Sequence, residues 1–139
     1  MTTHFVHTGF SEGMAFTADI NGHKITMDTT ADDGGANSGP SPKRLMLASL
    51  AGCTGIDVVS ILNKMKVNFS DFSIDVHAAL THEHPMIYNF VKITYKIKVD
   101  GADKPKMVKA VQLSQEKYCG VSAMFSAFAK IDTEIDFIG

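Results

Sequence analysis

Between Ser41 and Lys66 the chain reads SPKRLMLASLAGCTGIDVVSILNKMK, and no other stretch restricts the fold as much. Proline suits the first helical position, where its missing N–H would have had no partner, and a serine just before it suits the N-cap. The segment predicts a helix opening at Pro42 and running to about Lys66, roughly 24 residues and about 36 Å long. Its apolar residues, among them Leu45, Leu50, Ile56, Val59, Leu62 and Met65, fall on nearly every side. A helix without a polar face has to be covered all round. Its length of 139 residues gives the chain one domain with one core, residues 1–139. A homodimer whose two chains wrap each other would cover such a helix. Gly52 and Gly55 lower helix propensity within it, which predicts close packing against the backbone there.

Strand signals flank this helix. HFVHTGF and MAFTADI come first, and Asn21-Gly22 links the latter to HKITMD; both residues tolerate the positive φ of a tight hairpin. A polar, Gly-rich loop, TTADDGGANSGPSP, leads into the helix. After it, FSIDVHAAL and VKITYKIKV alternate apolar and polar residues, as half-buried antiparallel strands do. Pro105 opens a second helix to about Tyr118. Cys119-Gly120 interrupts it, VSAMFSAFA makes a third, and IDTEIDFI is a last strand burying Ile131, Thr133, Ile135 and Phe137. The order ββ(β)–α–ββ–αα–β predicts an α+β fold, with antiparallel sheets packed on the helices.

The net charge of −2 is spread along the chain, which gives no basic patch for nucleic acid or anionic lipid. The longest uncharged run, Leu45 to Ile56, is shorter than the roughly 20 residues of a membrane span. MTTHFVHTGF lacks the features of a leader peptide, so the expected location is cytoplasmic. Two cysteines in such a compartment point to catalysis or metal more than to a structural disulfide, although a free cysteine is also a good core residue.

Cys119 lies just before a helix, where unpaired N–H groups favour a thiolate. Cys53 lies mid-helix and would need a cation or donor nearby to ionise; Lys43 and Arg44 stand roughly 14 Å back along the same helix. His82 and His84 read as a polar hairpin tip more than as a metal site.

The Ser41–Lys66 segment and AVQLSQEKYCGVSAMFSAFAKID resemble the two cysteine motifs of the OsmC/Ohr superfamily, and within it a YhfA-like subgroup. The resemblance implies an intertwined homodimer, with antiparallel sheets around long central helices and active sites at the interface. It implies that Cys53 attacks a small, organic hydroperoxide and becomes a sulfenic acid. Cys119 then condenses with it to a disulfide, an external dithiol restores both, and by the same resemblance no metal or organic cofactor is required. The better-studied peroxidases add an arginine from the N-terminal strands and a glutamate after the helix-opening proline. Here Arg44 is the only arginine and Lys43 stands at the glutamate position. Lys43 or Arg44 could replace the cation, and Asp57 or Glu116 the carboxylate. Two other readings stay open: a small-molecule binder of the same fold, and a thiol-based sensor with little turnover.

Overall fold

The structure is a computed structural model and describes residues 2–139. The chain forms two compact units, one up to Met46 and one from Leu47 onward.

The first unit is an antiparallel meander of β1 (His7–Phe10), β2 (Phe16–Ile20) and β3 (His23–Met27), in that spatial order. Asn21 and Gly22 form the two-residue turn with φ of 37° and 92°, as their small Cβ demands predict, and they set Ile20 opposite His23. The loop after β3 is held by one side chain. The Asp28 carboxylate accepts from the Thr29 N–H at 2.7 Å, from the Ala36 and Ser38 N–H groups at 3.2 and 3.0 Å, and from the Ser38 hydroxyl at 2.7 Å. Those donors lower its pKa to about 2, the Ser38 hydroxyl contributing most. The loop returns close to β3, so that a Cβ at Gly39 would run into the Thr26 carbonyl.

Helix α1 spans Pro42–Lys64. The Ser41 carbonyl accepts from the Leu45 N–H at 3.0 Å, so Ser41 stands at the N-cap. The helix stops two residues before the expected Lys66, which is left-handed with φ 58°. Lys66 N–H returns to Asn63 O and Val67 N–H to Leu62 O at 3.1 and 3.0 Å, closing a Schellman motif. By length and composition alone α1 would suit a bilayer, with a mean hydropathy of 1.9. It serves instead as the core helix of the second unit, where Leu50, Thr54, Val58 and Leu62 are fully buried at a spacing of four. The surface opposite is bare: Ile56 is 74% exposed, and a Cβ at Gly52 would touch nothing. Of the two α1 glycines, Gly55 alone is closely approached among the described residues, since a Cβ there would stand 3.1 Å from the tip of Ile74.

The sheet beside α1 has the order β4 (Phe69–Leu80), β5 (Tyr88–Val99) and β6 (Lys130–Phe137). β4 and β5 form the expected long antiparallel hairpin. β6 joins β5 in parallel, because helices α2 (Lys104–Leu113) and α3 (Gly120–Ser126) carry the chain back across the sheet. The sheet is therefore mixed rather than purely antiparallel. Val91, Ile93, Tyr95 and Ile97 of β5 point into the core against Met107, Ala110, Val111 and Phe125 of the helices. The other face is polar and carries Lys96–Asp75 and Lys92–Glu134 ion pairs at 2.8 and 2.9 Å. On β6, Ile131, Ile135 and Phe137 are half-buried, while Thr133 is exposed instead of buried.

Candidate active site around two thiols

Between α2 and α3, residues Ser114–Tyr118 form one π-helical turn, closed by a 2.7 Å bond from the Cys119 N–H to the Ser114 carbonyl. Such wide turns recur where a helix must re-aim its side chains. Here the turn buries Ser114 and leaves Cys119 extended, with φ −79° and ψ 100°, as the N-cap of α3. The Cys119 sulfur accepts from the Ser122 N–H at 3.3 Å, the bond a serine or aspartate makes at other helix starts.

This geometry brings Cys119 to α1. The sulfurs of Cys53 and Cys119 and a carboxylate oxygen of Asp57 lie within 4.8 Å of one another. Asp57 follows Cys53 by one helical turn, so both side chains leave the same stripe of α1. Cys53 and Asp57 are half-buried, whereas Cys119 is 3% exposed. Both cysteines are free thiols.

Burial pushes the Cys119 thiol up, and the neighbouring Cys53 adds to that. Ser122 opposes the shift, first through its buried hydroxyl beside the sulfur and then through its N–H. Among the described residues, no hydrogen bond or ion pair joins a lysine or arginine to either thiol.

Behind the thiols runs a chain of buried hydroxyl groups. Ser114 Oγ donates to Asp57 Oδ2 at 3.1 Å and lies 2.8 Å from Thr54 Oγ1, which in turn lies 2.7 Å from the Tyr95 hydroxyl. Gln115 Nε2 donates to Tyr95 at 2.9 Å. Each hydroxyl has one proton. Ser114 spends its proton on Asp57, so Thr54 must donate to Ser114 and Tyr95 to Thr54. Every bond in the chain therefore points the same way, from Gln115 to the carboxylate. Burial raises the Tyr95 pKa, which keeps the phenol protonated as this chain requires. Asp57 thus has one oxygen held from behind, and the group faces both sulfurs. Beside Asp57 opens a cleft of about 340 Å³ lined by Ser60, Ile61, Lys64, Met65 and Tyr118.

The structure brings Cys53, Cys119 and Asp57 together. Glu116 points outward, 3.5 Å from Gln112 Nε2. Lys43 and Arg44 are exposed in the first turn of α1, where Arg44 donates to Ser41 Oγ at 3.1 Å. His82 and His84 are exposed at the hairpin tip. Thr54, Tyr95, Ser114, Gln115 and Ser122 were not singled out by the sequence. Thr54 alone carried a local signal, as a hydroxyl inside an apolar helical run.

An α+β fold that sets two cysteines from separate helical segments beside each other defines a class of two-thiol proteins. The family model for OsmC-like proteins matches residues 34–134, and the chain belongs to that family. Protein YhfA of Escherichia coli K12 is 31% identical over 121 residues, covering 86% of this chain and 87% of YhfA. A crystal structure of a hypothetical protein from Aquifex aeolicus VF5 superposes with a TM-score of 0.86 at 28% identity, covering 99% of this chain and 98% of that one. An organic hydroperoxide resistance protein OsmC from Legionella pneumophila shares the fold, with a TM-score of 0.69, 14% identity and 98% coverage of both chains.

Proposed function

We propose that this protein is a thiol-dependent peroxidase that reduces small organic hydroperoxides. The observation that carries the reading is the approach of Cys53 and Cys119 sulfurs to within 4.8 Å. A disulfide needs about 2.05 Å between sulfurs, so rotation of the two side chains with a small shift of the α3 cap suffices. Cys53 is the attacking thiol because it is the more exposed of the two. As a thiolate it bonds to one peroxide oxygen, the O–O bond breaks, and the alkoxide leaves as the alcohol after taking a proton. Cys53 is then a sulfenic acid. The Cys119 sulfur attacks it, water departs, and a disulfide remains. An external dithiol returns both thiols by exchange. Asp57, held by Ser114, is placed to accept the thiol proton in place of the arginine–glutamate relay of other peroxidases.

The active form in this proposal is a homodimer. The bare stripe of α1 around Gly52 and Ile56 borders a groove of about 740 Å³ that also touches Phe72 and Ile74. A second copy would cover apolar surface that the single chain leaves in water.

A consumption assay tests the reading. Reduced protein mixed with cumene hydroperoxide and dithiothreitol should turn over repeatedly, and Cys53→Ser should abolish turnover. Absent turnover, or turnover indifferent to that substitution, overturns it. The raised pKa of the buried Cys119 thiol and the lack, among the described residues, of a lysine or arginine bonded to either thiol favour one other reading, a slow thiol sensor. That reading predicts one round of oxidation without repeated turnover.

A further inference from the structure

The residues that make this a thiol site also make a ligand set. We propose that the reduced protein binds one divalent cation of the zinc class through Cys53 Sγ, Cys119 Sγ and the Asp57 carboxylate. The three donor atoms already lie within 4.8 Å of one another. Around tetrahedral zinc, with bonds of about 2.3 Å to sulfur and 2.0–2.2 Å to oxygen, donors stand roughly 3.5–3.8 Å apart. A contraction of about 1 Å therefore closes the set.

Two of the three ligands are supported from behind, as metal ligands commonly are. Ser114 fixes one Asp57 oxygen, and the Ser122 N–H fixes the Cys119 sulfur. Two thiolates select a borderline or soft ion over magnesium or calcium. A divalent charge also supplies the positive partner that, among the described residues, no lysine or arginine gives these groups. An independent observation points to a polar occupant. Ser122 is 2% exposed, and its hydroxyl, directed at the Cys119 sulfur, makes no well-formed hydrogen bond. A water on the fourth coordination position would give it one, where the other buried side-chain hydroxyls among the described residues are paired.

The consequence is redox-linked. Metal binding releases the protons of both thiols and holds them as thiolates. A hydroperoxide that oxidises the pair takes two electrons from the sulfurs and, with two protons, becomes alcohol and water. The resulting disulfide has no thiolate to offer, so the ion leaves. The metal would thus cap the reduced thiols.

The site uses the same thiols as the peroxidase proposal but does not depend on turnover, so its test is spectroscopic. Metal-free, reduced protein is titrated anaerobically with cobalt(II). The expected result is one cobalt per chain, a near-ultraviolet thiolate charge-transfer band, and the intense visible bands of a tetrahedral ion, all erased by zinc. Protein oxidised beforehand with diamide should give none of these. Ser114→Ala should weaken cobalt binding by about tenfold or more, and Asp57→Asn should weaken it while keeping the charge-transfer band. Wild-type protein without a charge-transfer band overturns the proposal, as does equal binding by the Cys53→Ser/Cys119→Ser double variant. Cobalt bound in this way by a protein without peroxidase turnover removes the enzymatic reading alone. Turnover without the cobalt spectrum removes the metal site alone.

Discussion

The hydroxyl of Ser114 donates to the carboxylate of Asp57 at 3.1 Å across 57 positions of sequence. That bond ties the π-helical turn before Cys119 to the helix that carries Cys53. It makes the thiol site continuous with a buried row of hydroxyl groups, whose direction is set at one end by a carboxylate and at the other by an amide. Stability and chemistry are therefore coupled at this point in the core.

The hydroxyl row should behave as one unit. Tyr95→Phe removes the 2.7 Å bond to Thr54 and leaves the Gln115 amide only its longer 3.4 Å bond to Thr54 Oγ1. The expected loss is about 1–3 kcal/mol, read from urea unfolding of the reduced protein. Thr54→Val interrupts the same row and should cost a similar amount. The double variant should lose clearly less than the two single losses added together. Strict additivity would show that the row does not act as a chain.

Asp28 should make the protein acid-sensitive within a defined window. Its folded pKa is about 2, below the ordinary 3.8, because four donors favour its charged form. The stabilisation is full above pH about 4 and is lost as pH falls through 2. Asp28→Asn lacks that titration. The gap in unfolding midpoint between wild type and Asp28→Asn should therefore narrow between pH 4 and 2. A constant gap would show that the charge on Asp28 does not hold the loop.

The two thiols should differ in reactivity. Cys53 is half-exposed, whereas Cys119 is buried and its pKa is raised by that burial. Since the thiolate is the nucleophile, iodoacetamide at neutral pH should label Cys53 first, with Cys119 following only in alkaline solution or after unfolding. Mass spectrometry of the digested protein checks this. Equal labelling of both at neutral pH would contradict the assignment of Cys53 as the attacking group.

The bare stripe of α1 should be the contact between copies. Ile56 is 74% exposed in the single chain, and Ile56→Lys would place a charge in the covered surface of a dimer. Sedimentation should give a dimer for wild type and a monomer for the variant. A monomeric wild-type protein would remove the dimer from the proposal.

Much of the fold was legible along the chain because its signals are local. The Ser41-Pro42 start, the unbroken apolar run behind it, the Asn21-Gly22 turn and the period-two alternation of β4 and β5 each depend on neighbouring residues. Those features determined the α+β order, and the motifs around Cys53 and Cys119 identified the two thiols. The parallel pairing of β6 with β5 was not legible, since both strands alternate equally well in either direction and the crossover alone decides. Nor did any local pattern separate Asp57 from Glu116 as the carboxylate at the site. That choice belongs to the tertiary structure. The π-helical turn buries Ser114 toward α1 and leaves Glu116 in water, and one extra residue in a helical turn is worth too little locally to be read from sequence. The hydroxyl row likewise exists only after α1, β5 and the π-helical turn have packed, because a hydrogen bond between distant residues is specified by the geometry of the core that encloses it.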